Sequence, residues 1–197
     1  MAVALLDAPP VGTSGSLGPH RKADYETLPE SPRCELIYGR FFVSPSPSAI
    51  HQQVLLALSR FLEDLAEESG GLLFPAPMDV RLQDHSIVQP DLVYLCEEKR
   101  HLVAEKIEGA PDLVVEVLSP GTARRDRGDK LSLYAESGVR EYWVVDPEER
   151  QIEFLILREG RYTVALPEGS SYSSEALPEI ALDLQRLWDR IDRRFKK

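Results

Sequence analysis

No stretch of the 197 residues comes near the roughly 18 consecutive apolar residues that a membrane-spanning helix needs. The opening Ala2 to Leu6 also lacks the basic flank and the length of a secretory leader, so a cytoplasmic location is expected. Cysteine is scarce. Cys34 and Cys96 lie far apart and outside any CxxC or Cys/His spacing, which excludes a disulfide framework and a structural zinc. His20, His51, His85 and His101 form no HxxxH or HExxH pattern, which argues against zinc-hydrolase chemistry. Positive charge is short as well: the formal net charge is −10, unfavourable for a partner whose phosphates must be neutralised by Lys and Arg. The basic residues are uneven, however. Arg124, Arg125, Arg127 and Lys130 crowd one segment, and Arg186, Arg190, Arg193, Arg194, Lys196 and Lys197 crowd another, so a local field can outweigh the net charge.

What is present is enough for a packed core, with 43% hydrophobic and 28% charged residues. Residues 1–22, rich in Ala, Gly, Pro and Ser at the start, are expected to form a loose tail, and 23–197 a single domain. Glu35 to Val43, with Gly39 inside it, reads as a hairpin. Ser46-Pro47 reads as a helix cap followed by a first-turn proline. Ile50, Val54, Leu58, Phe61 and Leu65 then recur at helical spacing, predicting a helix over about 48–68 that ends at Gly70-Gly71. Leu72 to Leu82 is extended, its Pro75 and Pro77 suiting a sheet edge. Val88 to Leu95 and Asp112 to Leu118 are apolar runs of the buried-strand type. Thr122 can cap a second helix that Gly138 closes. Strands are expected at Glu141 to Val145, Gln151 to Leu157 and Tyr162 to Leu166, and a helix from about Leu182 to Phe195. The fold class expected is α/β, a mixed sheet with helices on both faces.

Strand alternation puts Asp112, Val114, Glu116 and Leu118 on one face of their segment and Leu113, Val115 and Val117 on the other. Glu116 is thus a carboxylate inside an apolar strand, and a lone buried charge is costly unless it is paired or binds a metal. A salt bridge is the plain alternative to a metal. Asp91 follows Pro90 at the head of the preceding strand signal. If the two strands are neighbours, the two carboxylates converge and need a cation between them, for which Mg²⁺ or Mn²⁺ is the natural oxygen-liganded ion.

Pro90-Asp91 followed by Glu116-Val117-Leu118 resembles the PD-(D/E)xK motif of restriction-endonuclease-like nucleases. Glu35-Leu36-Ile37-Tyr38-Gly39, His51, Gln89-Pro90-Asp91, the run Pro111 to Pro120, Asp129-Lys130 and Gly138 to Pro147 together resemble the Uma-two family of endonucleases, over about Tyr25 to Phe154. The resemblance implies the restriction-endonuclease-like fold, a divalent metal held by Asp91 and Glu116, and DNA as substrate. Cleavage of both strands would favour a homodimer. Leu118 stands where the motif has lysine. Lys130 is the substitute from the following helix, or else an ordinary i,i+4 partner of Asp126. Glu35 and His51 are further candidates, each with a structural alternative, and Arg124, Arg125 and Arg127 can meet phosphates at a helix start or form a solvated turn. The rival class is a nuclease-like domain that binds nucleic acid or a protein without cutting. A third is a hydrolase of another phosphorylated substrate.

Overall fold

The computed structural model describes residues 17–29 and 31–195. Most of the expected tail, residues 1–16, lies outside the described residues; the rest is anchored, since the amides of Gly18, His20 and Lys22 donate to the carbonyls of Tyr38, Gly39 and Asp84. The elements in chain order are α1 (Lys22–Tyr25), β1 (Cys34–Ile37), β2 (Arg40–Val43), α2 (Ala49–Ser69), β3 (Leu72–Pro75), β4 (Val80–Gln83), β5 (Ser86–Val88), β6 (Leu92–Leu95), β7 (Ile107–Glu108) and β8 (Leu113–Val117). There follow α3 (Ala123–Arg125), a π-helical turn over Asp126–Lys130, α4 (Leu131–Ser137), β9 (Glu141–Asp146), β10 (Gln151–Arg158), β11 (Arg161–Ala165), β12 (Ser171–Ser173), β13 (Ala181–Asp183) and α5 (Leu184–Phe195).

The strands are mixed in direction, as expected, but they divide between a five-stranded sheet (β2-β1-β5-β4-β7), a six-stranded sheet (β11-β10-β9-β8-β6-β3) and a β12-β13 pair. The extended segment Leu72 to Leu82 and the strand signal Val88 to Leu95 each divide at their prolines, which remove the donor a ladder needs. Leu72 to Leu82 breaks around Pro75 and Pro77 into β3 and β4, and Val88 to Leu95 breaks at Pro90 into β5 and β6. Each break carries the chain from one sheet to the other. As expected for proline, β3 is an edge strand.

Both faces of the six-stranded sheet are covered. Leu113, Val115 and Val117 of β8 pack with Val54, Leu58 and Leu62 of α2 and with Leu187, Trp188 and Ile191 of α5. Val114 and Leu118 point the other way, into a cluster with Leu133 and Tyr134 of α4 and with Ile37 and Val80 of the smaller sheet. Each such buried aliphatic side chain is worth about 1.5–3 kcal/mol over exposure. Glu116 shares this second face, so the alternation read from sequence holds.

The helices differ from expectation at their starts. α2 is capped by Ser48, whose hydroxyl accepts from the His51 amide at 3.3 Å, not by Ser46. Ser48 takes the extended conformation of an N-cap (φ −76°, ψ 165°), so Pro47 stands just ahead of the helix and not in its first turn. Gly70 closes α2 in the left-handed region (φ 72°) and Gly138 closes α4 (φ 84°). Thr122 precedes the second helix but does not cap it; its hydroxyl lies 3.1 Å from that of Ser119, bracing the turn ahead. The helix widens into the π turn before α4, and such turns often re-aim side chains at functional sites.

Candidate active site

The seam between the two sheets gathers one side chain from each of several elements. Glu35 comes from β1 of the smaller sheet, Gln89 and Asp91 from the crossover between β5 and β6, Glu116 from β8, Lys130 from the π turn and His51 from the first turn of α2. All six line one cleft of about 350 Å³. The antiparallel register Leu92↔Val115, extended by one residue, sets Asp91 opposite Glu116.

Lys130 is the hub. Its Nζ donates to Glu116 Oε1 at 2.7 Å and lies 2.9 Å from Glu35 Oε1 and 3.7 Å from Asp126 Oδ1. Tyr134 also donates to Glu116 Oε1, at 2.8 Å. Glu35 Oε1 accepts from the Gln89 amide at 2.8 Å, and its Oε2 faces Arg125 Nη1 at 3.6 Å. Asp91 Oδ2 accepts from the Val117 amide at 2.8 Å and lies 3.1 Å from His51 Nε2. The described hydrogen bonds of the two carboxylates thus fall on Asp91 Oδ2 and Glu116 Oε1, and none involves Asp91 Oδ1 or Glu116 Oε2.

Glu35, Glu116, Asp126 and Lys130 are each 5% exposed or less, so their charges interact in poor solvent. Burial holds the Glu116 carboxyl well above the usual carboxylate range; Lys130 pulls it back, while Asp126, Asp91 and Glu35 push it further. Burial likewise raises Asp126, against the pull of Lys130. Burial alone would lower Lys130, but Glu116, Glu35 and Asp126 raise it above the usual lysine range, so the ammonium keeps its proton. Fully ionised, the four carboxylates Glu35, Asp91, Glu116 and Asp126 outnumber the two cations Lys130 and Arg125 by two charges. That excess matches one divalent cation, with protonation of Glu116 as the competing way to relieve it.

The donor set suits a hard ion. No trio of His, Cys, Asp or Glu side chains among the described residues is grouped to hold a metal. Two carboxylates are what Mg²⁺ ordinarily takes from a protein, the remaining positions going to water and to phosphate oxygens. Asp91 and Glu116 therefore fit Mg²⁺ or Mn²⁺, and the site does not fit a closed zinc cage.

A family model described as "Putative restriction endonuclease", Uma2, matches residues 23–185. The chain belongs to the Uma2 family. Its fold is similar to a crystal structure described as a "putative nuclease belonging to DUF820" from Anabaena variabilis, with a TM-score of 0.75, 19% sequence identity, and coverage of 88% of this chain and 99% of that one. No functionally curated protein matches. No described helix is long and apolar enough to cross a membrane.

The three arginines read as phosphate contacts fare differently in this Uma2 fold. Arg125 points inward, 15% exposed at the side chain, beside Glu35 and 4.5 Å from the Phe42 ring centre. Arg127 is tied outward by Glu153 at 2.7 Å and Asp146 at 3.7 Å and does not line the cleft. Arg124 is exposed and also stands outside the cleft lining. Leu118, in the motif's lysine position, is buried among apolar side chains. Two lining residues escaped the sequence reading. Arg33 lines the cleft without an ion pair among the described residues. Gln89 holds Tyr25 and Asp79 through its Nε2 (3.3 and 2.8 Å), and its buried Oε1 has no hydrogen-bond partner among the described residues. Neither had a signal beyond Gln89's place next to Pro90-Asp91.

Proposed function

We propose that the protein is a metal-dependent endonuclease that hydrolyses DNA phosphodiester bonds in the Glu35–Asp91–Glu116–Lys130 cleft. The observation that carries this is the gathering of Glu35, Glu116 and Asp126 around the buried Lys130, with Asp91 beside them, on one cleft of a Uma2 fold. Asp91 and Glu116 would hold Mg²⁺ or Mn²⁺, which supplies Lewis acidity toward a phosphoryl oxygen and lowers the pKa of a water.

The chain's own residues do the rest. His51 and the Val117 amide fix the Asp91 carboxylate, leaving one oxygen for a ligand. Lys130 stays protonated, so it acts as a cation and not as a base, stabilising the charge that develops on the phosphoryl oxygens. Glu35 and Asp126 hold that ammonium in place of the missing motif lysine at position 118. Arg33, at the cleft wall and without an ion pair among the described residues, is a cation available to a neighbouring phosphate. One feature favours the rival reading of a binding domain that does not cut: the lysine already bridges two carboxylates, as a purely structural ion pair would.

The test is cleavage of supercoiled plasmid and single-stranded DNA in Mg²⁺ and Mn²⁺ by wild type, Glu116→Gln, Asp91→Asn and Lys130→Ala. Metal-dependent cleavage by wild type with a loss of roughly 10²–10³-fold in each folded variant supports the proposal. Wild type that binds DNA and metal without cutting transfers the protein to the binding class.

A further inference from the structure

The second basic cluster of the sequence has no part in the cleft. Its described members sit on α5, where Arg186, Arg190, Arg193 and Arg194 are all exposed. Positions 186, 190 and 193 to 194 recur at helical spacing and so share one side of α5. The opposite side, Leu187, Trp188 and Ile191, is buried against the core. α5 packs against α2, where Ala57 and Phe61 meet Leu187 across a shallow groove flanked by Arg60, Arg186 and Arg190. None of these five arginines makes an ion pair among the described residues, in a chain of net charge −10 that elsewhere pairs most of its cations. The carboxylates nearby are largely engaged: Asp183 accepts from the Arg186 amide, Asp189 from Gln185, and Asp192 from Arg150. Asp64 and Asp183 are the two acids on the groove wall, against the three arginines Arg60, Arg186 and Arg190.

The row also points at the cleft. Arg194 donates to Gln53 of α2, and the next residue back, Gln52, together with His51 lines the cleft. From Gln53 to Arg60 is seven residues of α2, about 10 Å at 1.5 Å per residue. That is comparable to a few phosphate spacings along a strand, roughly 3.4 Å each in axial rise. Basic residues in the last turn also complement the helix dipole, which accounts for Arg193 and Arg194 but not for Arg60, Arg186 and Arg190.

We infer that the α2–α5 face, through Arg60, Arg186, Arg190 and Arg194, is a phosphate-tracking surface that seats the backbone of a nucleic acid running into the cleft beside Gln52. The inference rests on reading the cleft as a nuclease site and supplies it with a sequence-independent grip that the acidic remainder of the surface cannot offer.

The experiment is fluorescence anisotropy of a labelled duplex and a labelled single strand with the full chain in EDTA, where cleavage is off, across a salt series. The wild type is compared with the triple variant Arg60→Gln/Arg186→Gln/Arg190→Gln, with thermal melting as the folding control. The expected result is an unchanged melt, a roughly tenfold or greater loss of affinity, and a slope of log K against log salt shallower by about 2.7, or 0.9 per lost contact. Equal affinity and slope in the two proteins overturns the surface, as does failure of wild type to bind either nucleic acid at low salt. Equal, arginine-dependent binding of polyglutamate assigns the face to an acidic polypeptide and also overturns it. Arginine-dependent binding by a wild type that never cuts in metal leaves the surface standing and removes only the nuclease reading.

Discussion

Two glutamates lie buried on adjacent parallel strands of the same sheet, Glu116 on β8 and Glu141 on β9, and they are held in opposite ways. Glu141, 0% exposed, accepts from Trp143 Nε1 at 2.5 Å, from Tyr172 Oη at 2.7 Å and from Ser174 Oγ, three neutral donors from its own strand and from the β12 segment. Glu116 accepts from an ammonium and a tyrosine, shares that ammonium with two more carboxylates, and opens on a cleft. Neutral donors that satisfy a carboxylate on all sides leave it nothing to do but hold the structure together. A cation shared among several carboxylates leaves charge uncompensated, and uncompensated charge beside a cleft is what a ligand can complete.

The comparison breaks most visibly at Lys130. Replacing it by Met strands Glu116, Glu35 and Asp126 without their counter-charge, at a cost of about 3–5 kcal/mol in chemical denaturation. The loss should depend on pH with a definite sign. Glu116 and Asp126 are already raised by burial, and without Lys130 they rise further. A carboxyl raised in the folded state binds its proton more tightly there than when unfolded, so its contribution is present at low pH and withdrawn as pH climbs through the raised value. Lys130→Met should therefore recover stability relative to wild type as pH falls from 8 to 5, and adding Glu116→Gln should restore part of it at pH 8. A pH-independent deficit would mean that the lysine acts by packing.

At Glu141 the expected loss is slightly smaller and of another kind. Glu141→Ala leaves Trp143, Tyr172 and Ser174 donors buried without an acceptor, costing about 2–4 kcal/mol in denaturation midpoint while metal affinity per folded molecule is unchanged. Burial also raises Glu141, against the pull of its three donors, so by the same sign wild-type stability should gain from protonation at acid pH, and Glu141→Gln should remove that gain. Titration calorimetry with Mn²⁺ separates the two glutamates: weakened binding in Glu116→Gln, none of it in Glu141→Ala.

How much of this contrast the sequence reveals depends on the distance over which each contact acts. Glu116 stood out because an acid interrupts an apolar strand, Asp91 because it follows a strand-breaking proline, and Lys130 because it lies beside the apolar stripe of its helix. The long helix was legible from its period and from Gly70. Glu141 was not, since its partners Tyr172 and Ser174 come from a short strand some 30 residues on, in a segment without periodicity. The splitting of the strands into two sheets was hidden for a related reason. A proline marks a break in hydrogen bonding, but which sheet the chain enters next is decided by tertiary pairing. That hidden crossover carries Gln89 and Asp91 and brings Glu35 of one sheet to Glu116 of the other.

His51 sharpens the comparison on the side of the ligand. Its Nε2 lies 3.1 Å from Asp91 Oδ2, so in the proposed site its part would be to orient that carboxylate, and removal of such an orienting group ordinarily costs 10–100-fold in metal affinity. His51→Ala should weaken Mn²⁺ binding by about that factor, with His51→Gln, which can still donate to Asp91, recovering most of it. Equal weakening in both would assign His51 to packing in the first turn of α2.

Arg127 gives the smallest effect and closes the question of which basic residues belong to the cleft. Its guanidinium spans Glu153 and Asp146 on an exposed surface, side chain 42% exposed, where ion pairs are worth about 0–1 kcal/mol. Arg127→Ala should shift the denaturation midpoint by no more than that and leave both duplex affinity and the salt slope as they are. Arg33→Ala, by contrast, removes from the cleft wall a cation with no carboxylate partner among the described residues, and should flatten the slope by about one contact, 0.9, with little change in stability. If the two substitutions exchanged their effects, the nucleic acid would have to approach over β10, where Glu153 lies, and not across the seam between the sheets.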